Sequence, residues 1–310
     1  MKKVCLMFPG QGSQSVGMGK DLYDKYPNSR EIFDLAGDEL KKIIFQGPEE
    51  ILKLTQWTQP AIFTVSLAAF KAFEDNIDIS NFEFVSAGHS LGEYSALCAA
   101  GFFDFADGIK MVKARGSFLQ KASEQNKGIM AAVLGLASDK VEEVCKQASC
   151  DGICEPVNFN CPGQIVIAGT VDGVNKAIEL AKNAGALKCV ILNVSGPFHS
   201  SLMKPASEAM ARELEKYSFS KPKFPVYTNC DAALTSDISD IKNKLVKQIN
   251  NAVKWNESIN NIINSNFDIF IEIGPGKILS GLLRKIDRSK KAFNIEDSAS
   301  LDKTLSELNK

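Results

Sequence analysis

The stretch FEFVSAGHSLGEYSALCAA, residues 82–100, carries a short apolar run, a glycine-bounded turn and an alanine-rich run in that order. This order predicts a buried strand from Phe82 to Ala87, a sharp turn, and a helix from Glu93 to about Ala100. The centre of the stretch matches G-x-S-x-G, a turn that strains Ser90 and projects its hydroxyl above the sheet. A strand that leads through such a turn into a helix favours a nucleophilic serine. The alternative, a structural turn that happens to contain a serine, stays open at this point.

Strand and helix patterns alternate on both sides of this stretch, which predicts a parallel sheet covered by helices on both faces. The other strands predicted in this part of the chain are 4–8 and 267–273. The other helices predicted there are 16–25, 28–45, 60–75, 200–216, 237–249 and 277–286. The tail after Lys290 is polar, and we expect it to be loosely held.

The pattern changes between residues 126 and 195 to strand, helix, strand, strand, helix, strand. The predicted strands are 129–134, 155–159, 164–168 and 187–193, and the predicted helices are 138–148 and 171–184. Ser138 is the expected N-cap of the first of these helices. This βαββαβ order is the ferredoxin-like order. We therefore predict an α/β fold with a hydrolase-like parallel-sheet domain, residues 1–125 plus 196–310, and an inserted ferredoxin-like domain, residues 126–195.

Composition and charge exclude several classes of protein. The chain of 310 residues has 36 basic and 37 acidic side chains, a balance that gives no electrostatic case for binding nucleic acid. No run approaches the ~18 apolar residues of a membrane span, and the apolar run near the N-terminus is shorter than the ~7–15 residues of a secretory signal. We expect a cytoplasmic protein without membrane contact. The eight cysteines form no C-x-x-C pair, which predicts thiols and no metal site.

A nucleophilic serine needs a base, and the chain has only two histidines, His89 and His199. His89 is adjacent to Ser90, so the turn makes it an awkward proton acceptor and suits it to packing or orienting. His199 lies in the loop SGPFHS, residues 195–200, just before a predicted helix. We therefore expect His199 to be the base.

Acyl chemistry at Ser90 also needs backbone donors for a developing oxyanion. The N–H of Leu91, directly after the serine, is the expected first donor. The loop GQG, residues 10–12, follows another predicted strand, and the N–H of Gln11 is the candidate for the second donor. This loop is not a dinucleotide-binding fingerprint, because Ser15 stands where the third glycine is required.

Arg115 lies in the middle of the apolar face of a predicted helix, residues 105–122. A buried guanidinium without a partner costs several kcal/mol. An internal salt bridge or a side chain that reaches out to solvent would avoid this cost. The other interpretation is a bidentate clamp for a substrate carboxylate, for which arginine is better suited than lysine.

Four motifs carry a resemblance to a known family: FPGQGSQ at 8–14, GHSLGEY at 88–94, PFHS at 197–200 and EIGPG at 272–276. In this order they resemble the acyltransferase family of fatty-acid and polyketide synthesis, the malonyl-CoA:acyl-carrier-protein transacylases. The matching segments extend from residue 7 to about residue 283. The resemblance implies a hydrolase-like domain with a ferredoxin-like insertion, malonyl-CoA as substrate, acyl carrier protein as partner and no bound cofactor or metal.

The resemblance also implies the roles of individual residues. Ser90 would be the nucleophile and His199 the general base, with the backbone carbonyl of Gln248 orienting the histidine. The remaining assignments are Gln11 and Leu91 as oxyanion-hole donors and Arg115 as the ligand of the malonyl carboxylate. Phe198 resembles members that prefer malonyl, whereas Ala252 stands where members often have proline.

The implied activity is a ping-pong transfer of malonyl from malonyl-CoA, through an acyl-Ser90, to the phosphopantetheine thiol of acyl carrier protein. It would supply extender units for fatty-acid synthesis. Three alternatives remain: a free-standing acyltransferase of a polyketide synthase, an α/β-hydrolase-type thioesterase, and an inactive module that binds acyl carrier protein. A thioesterase usually has its histidine near the C-terminus, whereas a long segment follows His199 here.

Overall fold

The computed structural model describes residues 1–310 and has ten strands and fourteen α-helices. The strands are β1 Lys2–Phe8, β2 Phe82–Gly88, β3 Ile129–Leu134, β4 Cys154–Cys161, β5 Gln164–Gly169, β6 Lys188–Ile191, β7 Val226–Tyr227, β8 Leu234–Thr235, β9 Ile269–Ile273 and β10 Lys291–Ile295. The helices before β3 are α1 Lys20–Lys25, α2 Pro27–Ala36, α3 Asp38–Gln46, α4 Glu49–Leu52, α5 Thr55–Asp75, α6 Gly92–Ala100 and α7 Phe105–Gln125. The helices after β3 are α8 Ser138–Ala148, α9 Val171–Asn183, α10 Lys204–Leu214, α11 Ile238–Ile249, α12 Trp255–Asn264, α13 Ile278–Ile286 and α14 Ser298–Leu308.

The larger sheet has six strands in the order β10-β9-β1-β2-β7-β8. All neighbouring pairs are parallel except β7 and β8. The central strand β1 is buried along its last five residues, which suits a strand covered by helices on both faces. The predicted parallel sheet is confirmed. Strand β1 lies next to β2, so the loops that follow these two strands meet at one edge of the sheet.

The second sheet has four antiparallel strands in the order β4-β5-β3-β6, with α8 and α9 packed against it. This is the strand order of a ferredoxin-like unit, and the predicted βαββαβ fold is confirmed. A core of its own fills the space between this sheet and its helices; it includes Val133, Val144 and Ile167. The domain boundaries at 126 and 195 remain a prediction.

Three details of the sequence prediction are wrong, and each has a local cause. The helix predicted over 28–45 is two helices, because Gly37 adopts a φ of 99° between them. Helix α5 begins at Thr55 and keeps Pro60 in its interior, where burial of most of its residues outweighs one missing hydrogen bond. Ser138 is the first residue of α8 and not its N-cap; Ala137 holds the cap position without a side-chain bond.

The expectation for the tail after Lys290 is also wrong. Residues Lys291–Ile295 form β10, which pairs with β9, and Ser298–Leu308 form α14. Asp297 and Ser300 start this helix with a reciprocal capping box. The buried side chains of Ile295 and Leu301 tie the segment to the main core. None of the helices in the structure combines the length and the apolar character required to cross a membrane.

Candidate active site

Ser90 lies in the turn between β2 and α6 with a φ of 54°, a left-handed conformation that is strained for a residue with a side chain. The flanking glycines allow this turn to form. A Cβ on Gly92 would overlap the carbonyl oxygen of Phe8, and a Cβ on Gly88 would overlap the backbone of Gly92. The sharp turn at the edge of the sheet, predicted from G-x-S-x-G, is therefore held by close packing of α6 on β1.

His199 contacts Ser90 directly, although the two residues are 109 positions apart in the chain. Its Nε2 lies 2.7 Å from Ser90 Oγ, and its Nδ1 lies 2.7 Å from the backbone carbonyl oxygen of Gln248. Because a carbonyl can only accept, Nδ1 carries the proton and Nε2 is free to accept the proton of the serine hydroxyl. Burial and the charge of Arg115 lower the pKa of His199 to about 3. The imidazole is thus a neutral proton acceptor at neutral pH.

The two predicted backbone donors lie where the two neighbouring loops meet. Gln11 follows β1 and lines the same cavity as Ser90, and Leu91 directly follows the serine. Neither N–H donates a hydrogen bond within the protein. The N–H of Ser90 itself, in contrast, donates to Asn229 Oδ1 at 2.8 Å. The two unpaired N–H groups are therefore available to an oxygen bound next to Ser90.

Arg115 on α7 is buried, with 1% of its surface exposed, and it reaches the same cavity. Its Nη1 donates to Gln59 Oε1 at 2.7 Å, and its Nη2 donates to Gln248 Oε1 at 2.9 Å and to Ser90 Oγ at 3.3 Å. All three partners are neutral. The guanidinium also lies 5.5 Å from the centre of the Tyr94 ring. Since Arg115 neither reaches solvent nor pairs with a carboxylate, its charge is held at the cavity without a bonded counter-ion.

A cavity of about 200 Å³ lies between the two domains and is lined by these groups. Its polar side chains include Ser90, His199 and Arg115. The walls are mostly apolar and come from both domains: Leu119, Met130, Val166, Leu192, Val194, Phe198, Ile249, Ile278, Leu279 and Leu282. A largely apolar cavity with a few polar groups suits a chain-like substrate with a reactive end.

His89 does not contact the hydroxyl of Ser90. Its Nε2 lies 2.8 Å from Asn160 Oδ1, and its ring centre lies 5.7 Å from that of Trp255. Asn160 belongs to β4, so this contact links the nucleophile turn to the smaller sheet. The structure contains no group of three or more His, Cys, Asp or Glu side chains that could hold a metal ion.

Four residues of the site were not predicted from the sequence: Gln59, Glu93, Asn160 and Asn229. Gln59 lies inside the largely buried helix α5, and Asn160 lies between the predicted strands 155–159 and 164–168. Asn229 follows the two-residue strand β7, which has no pattern long enough to detect. Glu93 belongs to the GHSLGEY motif, but its complete burial next to Ser90 is known only from the structure.

Comparison with known proteins gives consistent results. Residues 5–304 match the model of the acyl transferase domain family. A malonyl CoA-acyl carrier protein transacylase of Bacillus subtilis is 43% identical over 307 residues, which cover 97% of this chain and 96% of the relative. The crystal structure of an acyl-carrier-protein S-malonyltransferase from Bartonella henselae superposes with a TM-score of 0.96 at 38% identity and covers both chains completely. A malonyl-transacylase in complex with its type II polyketide-synthase acyl-carrier protein superposes with a TM-score of 0.94 at 38% identity, covering 99% of this chain and all of that one.

The hydrolase-like sheet, the ferredoxin-like insertion and the close contact of Ser90 with His199 fit the class of acyltransferases. The chain belongs to the acyl transferase family of the malonyl-CoA–acyl carrier protein transacylases. The resemblance inferred from four sequence motifs is thus confirmed. The roles of the individual site residues stay predictions.

Proposed function

We propose that this chain transfers a malonyl group from malonyl-CoA to the phosphopantetheine thiol of acyl carrier protein, and so supplies extender units for fatty-acid synthesis. The observation that carries the proposal is that Ser90 Oγ lies 2.7 Å from His199 Nε2 and 3.3 Å from Arg115 Nη2 in one cavity. A nucleophile, a base and a fixed positive charge are therefore combined where a carboxylated thioester would react.

In the first half-reaction, Ser90 Oγ attacks the thioester carbonyl while its proton passes to His199 Nε2. The C–O bond forms, and the carbonyl oxygen becomes an oxyanion that accepts hydrogen bonds from the N–H groups of Gln11 and Leu91. When the intermediate collapses, the C–S bond breaks and His199 returns the proton to the departing CoA sulfur. The Nδ1–H bond to the Gln248 carbonyl holds the imidazole in position throughout and stabilises its transient positive charge.

The second half-reaction is the reverse chemistry with a new thiol. His199 takes the proton of the phosphopantetheine thiol, the sulfur attacks the malonyl-Ser90 ester, and Ser90 leaves with the proton. Arg115 would bind the malonyl carboxylate in both halves, since its guanidinium is the only positive group of the cavity. His199 carries every proton in this scheme, so the proposal includes no resident cofactor or metal ion. We also propose that the reaction takes place in the cytoplasm.

A second candidate keeps the chemistry and changes the carrier. One structural relative was solved in complex with a type II polyketide-synthase acyl-carrier protein. This observation favours a free-standing acyltransferase of a polyketide synthase as the alternative. Both carriers present the same phosphopantetheine thiol, so the contacts of Ser90, His199 and Arg115 do not distinguish between them.

The test is the intact mass of the protein after brief mixing with malonyl-CoA. We expect a malonyl adduct on the wild type, none on Ser90→Ala, and discharge of the adduct when holo acyl carrier protein is added. Carriers of a fatty-acid and of a polyketide synthase are compared in parallel, and faster discharge to the fatty-acid carrier supports the first candidate. Steady release of CoA without a lasting adduct would point to a thioesterase. Absence of both signals would contradict an acyl-transfer function.

A further inference from the structure

Glu93 is a buried carboxyl group that the reaction scheme does not use. It lies in the first turn of α6, three residues after Ser90, with no exposed surface. Its Oε2 accepts hydrogen bonds from Gln248 Nε2 at 2.9 Å and from the backbone N–H of Asn229 at 3.1 Å, whereas its Oε1 has no partner. A buried acid without a bonded cation costs stability, so its presence beside the nucleophile needs another explanation.

The Gln248 side chain connects Glu93 to Arg115. Its Oε1 accepts from Arg115 Nη2 at 2.9 Å, and its Nε2 donates to Glu93 and to the backbone oxygen of Ser90, the latter at 2.6 Å. An amide has one donor end and one acceptor end. Arg115 offers only donors, and the contacting oxygen of Glu93 only accepts. Together with the Ser90 backbone oxygen, which also only accepts, they determine which end of the amide faces the guanidinium.

Glu93 is itself held in place from the opposite side. The Asn229 backbone that donates to it belongs to the loop after β7, and the Asn229 side chain accepts from Ser90 N and donates to the Gly88 carbonyl at 2.7 Å. Burial raises the pKa of Glu93 to about 7. When the group is protonated, Oε1 can carry the proton, so Oε2 accepts in both forms. The carboxyl group is therefore a fixed acceptor in a rigid frame.

We propose that Glu93 is a positioning residue that acts through the Gln248 side-chain amide to aim the Arg115 guanidinium at the acyl carboxylate. The inference rests on the proposed malonyl transfer and deepens it, because it assigns acyl selectivity to a residue that does not touch the substrate. Without the acceptor at residue 93, the Gln248 amide keeps its bond to the Ser90 backbone oxygen but loses the buried acceptor that fixes it from the other side. Arg115 then loses a firmly oriented partner beside Ser90. A carboxylated acyl group then loses its orientation, whereas an acyl group without a carboxylate loses little.

The test compares malonyl-CoA with acetyl-CoA as acyl donors and measures the rate of adduct formation on Ser90 by rapid-quench mass spectrometry. In Glu93→Leu, which removes the acceptor and leaves an apolar side chain of similar length, we expect the malonyl rate to fall about 100-fold, as for a group misplaced by about 1 Å. The acetyl rate should change far less. Glu93→Gln keeps one acceptor oxygen and should remain within about tenfold of the wild type. Glu74→Leu removes a carboxylate that pairs with Lys71 and Lys223 outside the cavity and serves as the control.

The pathway through Gln248 is tested with Gln248→Leu, which keeps the backbone carbonyl that holds His199. In the double variant with Glu93→Leu, the ratio of the malonyl rate to the acetyl rate of adduct formation should equal that of Gln248→Leu alone. Two results would overturn the inference: equal loss of both rates in Glu93→Leu, which indicates a purely structural role, or a double variant whose ratio falls further. A wild type without any preference for malonyl would overturn the proposed function, and this inference with it.

Discussion

Two residues in left-handed backbone conformations meet at the centre of the site. Ser90 has a φ of 54° and His199 a φ of 64°, and each conformation costs of order 1–3 kcal/mol for a residue with a side chain. The cost is offset by hydrogen bonds around them: Asn229 holds the N–H of Ser90, and the Gln248 carbonyl holds the ring of His199. The left-handed conformations therefore place the two side chains in contact, and the surrounding hydrogen bonds hold them in these positions.

The first prediction concerns Arg115, whose bonded partners in the structure are all neutral. Arg115→Ala should lower kcat/KM for malonyl-CoA by at least about 100-fold, because charge-assisted bonds to a carboxylate are lost. kcat/KM for acetyl-CoA should stay nearly constant. Arg115→Lys is the matched variant; it keeps the charge without the bidentate geometry and should recover only part of the loss. Equal losses for both donors would mean that Arg115 only supports the fold.

The second prediction concerns acid stability. The pKa of His199 falls from an ordinary 6.5 to about 3 on folding, so between these values the unfolded chain binds one more proton than the folded chain. Stability should therefore fall as the pH falls below 6.5. Relative to His199→Asn, which tolerates the left-handed backbone, the wild type should lose about 1.4 kcal/mol between pH 7.5 and 5.5. Urea unfolding of both proteins at the two pH values measures the difference. If the free energies of unfolding of the two proteins change equally with pH, His199 binds its proton as readily in the folded as in the unfolded chain, and its pKa is not lowered.

At the scale of elements, the site depends on how closely α6 packs against β1. A Cβ on Gly92 would overlap backbone atoms of Phe8, which no change of rotamer can relieve. Gly92→Ala should therefore destabilise the protein by several kcal/mol, or abolish folding. Gly281→Ala is the control, because this glycine in α13 is exposed and has open space around it. The control should gain about 0.5–1 kcal/mol from helix propensity. Thermal unfolding of both variants measures the difference. Equal midpoints for Gly92→Ala and Gly281→Ala would show that the close packing at Gly92 is not required.

The elements that were predicted from the sequence are those with a long pattern or a specific turn. The 82–100 stretch was predicted almost to the residue, because the Ser90 turn and the apolar runs on each side point to the same structure. The break at Gly37 was missed because the apolar pattern does not reveal the positive φ of this glycine. The early start of α5 was missed because burial of this helix outweighs its internal proline. Strands of two residues, such as Val226–Tyr227, have no periodicity to detect.

At the scale of the whole molecule, the fold brings together a serine from one end of β2 and a histidine that follows the inserted domain. His199 could be predicted because only two histidines exist and one is adjacent to the serine. Gln59, Glu93 and Asn229 could not, because their contacts depend on tertiary packing: each is an ordinary polar residue until the structure buries it near Arg115 or Ser90. The polar frame that holds the reactive groups is therefore a property of the assembled fold.

The C-terminal segment gives the final prediction, since its polar sequence and its structure lead to opposite expectations. Leu301 in α14 is fully buried in the main core. Leu301→Ala should cost about 2–5 kcal/mol, as expected for a cavity in a packed interior. Lys303→Ala, on the exposed face of the same helix, should stay within about 0.5 kcal/mol of the wild type. Urea midpoints with unchanged m-values would measure both changes. If Leu301→Ala is as stable as Lys303→Ala, the segment is loosely held, and β10 and α14 do not contribute to the stability of the larger sheet.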